Sequence, residues 1–134
     1  MNRKWLGLVL VCMAVLPVLS CAAGQQLVAI NVTPTAVIFG SANPVLNVQL
    51  TAVGVYEHPP ATKNITTQVT WSSSIVGVAV VSTTGLVSPA GPECGVSSVT
   101  ATLKTDNPTG NIITGTTSVT VDGPANSNCP STPI

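Results

Sequence analysis

Leu46-Asn47-Val48-Gln49-Leu50-Thr51-Ala52 is the stretch whose reading decides the fold. Leu46, Val48, Leu50 and Ala52 alternate with Asn47, Gln49 and Thr51. A period of two puts successive side chains on opposite faces of an extended chain, so the segment predicts a strand with one buried and one wet face. The same pattern recurs on both sides of it. Val28, Ile30 and Val32 share a face, Pro34 interrupts, and Thr35 to Phe39 resumes the extended run. Downstream, Val69 and Trp71 point inward, Val76 to Val81 reads as a fully buried strand, and Leu86-Val87 begins another after the Thr84-Gly85 turn. Val99, Ala101 and Leu103 alternate with polar residues, as do Val119 and Val121.

The segments between are turns and loops by composition: residues 40–44, Glu57 to Asn64 around His58-Pro59-Pro60, Ser88 to Gly95, and Lys104 to Gly110. Seven or eight short antiparallel strands at this spacing, each hiding one face, predict an all-β sandwich of two packed sheets. Its expected core includes Val48, Leu50, Val69, Trp71, Val99, Ala101 and Val119.

Several of these segments, in this order, resemble the bacterial immunoglobulin-like group 2 family. They are Val32-Thr33-Pro34, Val48-Gln49-Leu50-Thr51-Ala52, Val69-Thr70-Trp71-Ser72-Ser73, Val78-Ala79-Val80-Val81-Ser82, Thr84-Gly85-Leu86-Val87, Val99-Thr100-Ala101-Thr102 and Ser118-Val119-Thr120-Val121. The resemblance covers residues 27–122 and implies an immunoglobulin-like β-sandwich, as in intimin- and invasin-type adhesins and other envelope proteins. Glu57-His58-Pro59-Pro60 stands where the family often has an Asp-Gly turn, and Cys94 and Cys129 have no counterpart in the common pattern. Family members usually occur in arrays, whereas one copy is expected here, which argues against a reach-extending stalk.

The amino terminus addresses the compartment. Asn2-Arg3-Lys4 is a short basic start, Trp5 to Leu19 is an apolar run, and Ser20-Cys21-Ala22-Ala23 offers small residues beside a cysteine. This is the layout of a secretory signal over residues 1–21. Its apolar run is shorter than the roughly 20 residues a membrane-spanning helix needs. Val18-Leu19-Ser20-Cys21 resembles the lipobox of bacterial lipoproteins, which implies that Cys21 receives a lipid and becomes the first mature residue. The membrane is then a partner through the lipid anchor. Ala22 after the cysteine implies outer-membrane or cell-surface sorting where a second membrane exists. Cleavage after Ala22 or Ala23 is the alternative, and would make the protein secreted. Residues 22–26 are expected to form a tether and 123–134 a C-terminal tail.

About 113 residues follow the signal, enough for one domain. They carry Lys63 and Lys104 against Glu57, Glu93, Asp106 and Asp122, a balance of −2. Without a basic patch, nucleic-acid binding lacks its electrostatic driving force. Cys94 and Cys129 remain as an even pair in an oxidising compartment under either cleavage, and predict a disulfide that clips the tail.

No catalytic constellation is legible. His58 is the sole histidine, no serine sits in a nucleophile-elbow motif, and the acids are scattered. Asp106 and Asn107 are too few oxygens for calcium, and two cysteines without a nearby histidine are a poor metal site. Neither a cofactor nor a metal is expected, nor an enzyme. Trp71 reads as a core residue rather than a ligand platform. Tyr56 beside His58 in the proline-rich loop is the candidate binding loop. The expected function is a non-catalytic envelope lipoprotein engaging an envelope protein or glycan, or adhering at the cell surface. The alternatives are a passive or self-assembling structural component and a secreted accessory subunit.

Overall fold

The computed structural model describes residues 24–40, 46–91, 93–106 and 109–123. Among these the chain is all β, with ten strands: β1 (Gln26–Thr33), β2 (Ala36–Phe39), β3 (Val48–Gln49), β4 (Thr51–Glu57), β5 (Ala61–Asn64), β6 (Thr70–Ser73), β7 (Ala79–Val81), β8 (Leu86–Pro89), β9 (Gly95–Lys104) and β10 (Ile112–Val121). The count exceeds the expected seven or eight for two reasons. The alternating run expected from Leu46 to Ala52 starts as a strand only at Val48 and divides at Leu50 into β3 and β4. The stretch after His58-Pro59-Pro60, expected as loop, contains β5. His58 takes a left-handed backbone, φ 58°, and the chain folds straight back so that Ala61 pairs with Tyr56.

The strands form a sandwich of two layers. One layer holds the orders β1-β4-β5 and β3-β8-β7. These two pieces join because β3 and β4 are separated only by Leu50, whose amide donates to the Gly85 carbonyl at 2.8 Å. The other layer has the order β2-β10-β9-β6. All pairs are antiparallel except β2 with β10, which are parallel. That exception follows from Pro34. β1 pairs with β4, proline has no N–H to continue the ladder, and the chain resumes in the same direction against β10 in the other layer. Thr117 fastens the crossing by donating its hydroxyl to the Pro34 carbonyl at 2.6 Å.

The core lies between the layers. Leu50, Val87, Val99, Ala101 and Val119 are wholly buried, and Val69 nearly so. Val48 and Trp71 are only partly buried and pack against this core from its margin, a correction to their expected place inside it. Trp71 is held there by its indole N–H, which donates to the Thr66 carbonyl at 2.9 Å.

Three apolar residues point elsewhere than the alternation suggests. Leu27 pairs with Tyr56 and Ala29 with Val55, so Val28 is an extra residue in a β-bulge. A bulge reverses the facing of the residues before it, and Leu27 rather than Val28 is buried. Leu46 lies ahead of β3 and is 80% exposed. Val76 is 69% exposed because Val78 and Ala79 both donate to the Ile75 carbonyl, making residues 75–78 a turn and confining β7 to Ala79–Val81. A continuous apolar run has no internal period, so the sequence could not mark that boundary. β8 continues to Pro89, past the expected start of the following loop.

Candidate functional site

A cleft of about 540 Å³ opens at one end of the sandwich. The sequence places its walls on four separate segments. Gln25, Gln26 and Leu27 come from the start of β1, Tyr56 from the end of β4, Gln68 from the turn before β6, and Lys104, Thr105 and Asp106 from the end of β9. Antiparallel pairing brings them together: the start of β1 meets the end of β4 through Gln26–Glu57 and Leu27–Tyr56.

Tyr56 is set in place by its neighbours. Gly54 leaves room that a side chain would fill; a Cβ there would lie 2.9 Å from both Leu27 Cδ1 and Tyr56 Cε2 and 3.0 Å from Ile65 Cδ1. The ring therefore folds over the backbone and packs against the core. Lys63 Nζ stands 4.9 Å from the ring centroid, a cation–π distance. The same ammonium donates to Gln25 Oε1, and Gln25 Nε2 donates to the Pro59 carbonyl at 3.2 Å. Gln25 and Gln26, expected to belong to a tether, are thus part of the fold, and β1 begins at Gln26. Across the cleft the Lys104 side chain lies over Gly110, whose φ of 58° suits glycine.

Among the described residues, the cleft is lined by groups able to bond a polar ligand. Three amide side chains offer donors and acceptors, Lys104 a cation and Asp106 an anion. Ser73, Ser74 and Ser97 meet elsewhere, at the other end of β9. Ser97 Oγ contacts Ser73 Oγ at 2.8 Å and Ser74 Oγ at 3.3 Å, and accepts from the Ile75 amide at 3.0 Å. That set consists of hydroxyls and backbone alone and pins the 75–78 turn to β9. Among the described residues no group of three or more His, Cys, Asp or Glu side chains gathers.

The two residues of the expected binding loop part company. Tyr56 lines the cleft, whereas His58 is exposed in the reversal between β4 and β5 and does not. Asp106, set aside in the sequence as too little for calcium, lines the cleft, and Gln25, Gln26, Gln68, Lys104 and Thr105 join it although isolated polar residues near turns carry no motif. Cys94 is half-buried just ahead of β9, while Cys21 and Cys129 lie outside the described residues. No helix among the described residues is long and apolar enough to cross a membrane. No protein-family model matches the chain, and no curated protein sequence matches it.

Proposed function

We propose that this chain is an exported, non-catalytic cell-envelope lipoprotein whose single immunoglobulin-like sandwich engages an envelope protein or glycan, or adheres at the cell surface. The observation that carries this reading is the order of features along the chain. A basic start, an apolar run and Val18-Leu19-Ser20-Cys21 are followed almost at once by a strand beginning at Gln26. Membership of the bacterial immunoglobulin-like group 2 family belongs to the same reading. Its support is topological. In immunoglobulin sandwiches strands A, B, E and D share one sheet and C, F and G the other. Here β1, β3/β4, β8 and β7 stand in one layer in that order, and β6, β9 and β10 in the other. The Cys94–Cys129 disulfide is also part of the proposal, supported by Cys94 being a bonded cysteine rather than a free thiol.

The test is fractionation of a lipoprotein-processing bacterium expressing the full chain or Cys21→Ser. The unsubstituted protein should sediment with membranes and yield a lipid-modified amino-terminal peptide, while Cys21→Ser should not. A soluble, unmodified product from both would overturn the anchor. Saturable capture of one envelope protein or of cell-wall glycan by the lipidated protein would then identify the partner; none at folded concentrations would overturn the binding role.

A structural, self-assembling role is favoured by one observation. On the four-stranded layer Thr120 pairs with Ile38 on one side and Val96 on the other, and these two apolar residues are 50% and 58% exposed. Concentration-dependent association of the protein, weakened by Val96→Asp, would support that role.

A further inference from the structure

The described chain begins at Gly24, which lies on the wall of the cleft, and Cys21 is three residues further back. Whatever path those residues take, full extension limits the Cα separation of Cys21 and Gly24 to roughly 11 Å. A lipid on Cys21 therefore holds this end of the sandwich against the headgroups.

The charges are distributed to match. Both lysines that follow Cys21 flank this cleft, Lys104 in its wall and Lys63 over Tyr56. Lys104 pairs with Ile112 while Gly95 pairs with Val121, so the two ends of this hairpin stand roughly 30 Å apart. Glu93, against Gly77, and Asp122, beside Gly40, belong to the far end. Both cations thus lie where the anchor emerges, together with Glu57 and Asp106, and the other two acids belong to the far end. Inside the cleft Lys104 and Asp106 set one positive and one negative group two residues apart, with the amides of Gln25, Gln26 and Gln68 around them.

Resting on the lipid-anchor reading, we infer that the cleft-bearing end is seated on the bilayer and that the cleft takes a zwitterionic phospholipid headgroup. The phosphate faces the Lys104 ammonium, the headgroup cation faces the Asp106 carboxylate, and the glutamine amides bond the remaining oxygens. Tyr56, half-buried with a polar tip, sits at the depth where tyrosines gather at membrane interfaces. Protein partners are left the far end and the sheet edges.

The experiment uses the full chain processed in a lipoprotein-competent bacterium, with the amino-terminal peptide weighed first. The protein is placed in phosphatidylcholine vesicles and, separately, in a sugar-headgroup detergent. A membrane-impermeant amine reagent is added, and acylation of Lys63 and Lys104 is read by peptide mass. Both lysines should label several-fold less in vesicles, and the reporter amine of Val96→Lys, at the far end, equally in both. Equal labelling of the native lysines in the two media, or protection of the far-end reporter instead, overturns the seating. Should Val96→Lys not fold, the two native lysines decide alone. Vesicles of phosphatidylglycerol, which lack the headgroup cation, should protect Lys104 less; equal or greater protection overturns the zwitterionic assignment. An unmodified Cys21 sinks the anchor and this inference together, whereas a lipidated Cys21 with unprotected lysines sinks the inference alone.

Discussion

Gly115 of β10 lies directly on the main chain of Ile30 in β1: a Cβ at Gly115 would stand 2.3 Å from the Ile30 carbonyl oxygen and 3.0 Å from its carbonyl carbon. The layers of a sandwich ordinarily lie about 10 Å apart, with side chains between them. At this corner they close until only a hydrogen fits. The neighbour is backbone held in the β1–β4 ladder, so it cannot swing aside as a flexible side chain could.

Gly115→Ala should accordingly be among the costliest single-methyl insertions in the protein. Overpacking of this kind costs about 1–3 kcal/mol, and a backbone neighbour places it at the upper end. Urea unfolding of the purified protein checks this. A change under roughly 0.5 kcal/mol, the level of ordinary surface substitutions, would mean that β1 and β10 are not in contact there.

Gly54→Ala tests how Tyr56 is placed. The new methyl would meet Leu27, Tyr56 and Ile65 side chains at 2.9–3.0 Å, and these can give. The expected result is a modest stability loss, about 1 kcal/mol, with a changed tyrosine band in near-ultraviolet circular dichroism as the ring moves off the backbone. An unchanged band would show that the ring does not cover Gly54.

Ser97→Ala separates hydrogen bonding from packing. Ser97 is fully buried, and its hydroxyl satisfies the Ile75 amide and both neighbouring serines. Removing the oxygen orphans a backbone donor, which should cost about 1–3 kcal/mol. Hydrogen exchange should accelerate first at Ile75. Uniform acceleration across the protein without a local effect would contradict the assigned bond.

Reduction tests the proposed Cys94–Cys129 bridge. A loop of about 35 residues closed by a disulfide contributes roughly 3–4 kcal/mol in the chain-entropy model. The oxidised protein should therefore unfold at higher urea than the reduced one, and Cys129→Ser should match the reduced protein. Equal midpoints before and after reduction would remove the bridge from the account.

Much of this fold is legible in the sequence because most strands hide one face. Val99-Thr100-Ala101 and Ser118-Val119-Thr120-Val121 announce their inward residues by alternation alone, and the structure buries Val99, Ala101, Val119 and Val121. The misreadings occur where alternation is absent or shifted. Val76 to Val81 has no polar residue to mark a period, and a bulge at Val28 moves the burial to Leu27. The cleft was less legible than the core. Only Tyr56 stood out, because glutamines and a lysine near turns gain meaning by adjacency, and adjacency is set by pairing over long sequence separations.

By itself the sequence determined that this chain is all β and where most of its inward-facing residues fall. Those properties are local: side-chain period, turn chemistry and the length of an apolar run act within a few residues. The tertiary structure alone decided that β2 crosses to the other layer beside β10, that Gly115 must be bare against Ile30, and that Gln25, Tyr56, Gln68, Lys104 and Asp106 share one cleft. These depend on which strands lie side by side, and that is settled by burying every apolar face at once, a condition no single segment contains.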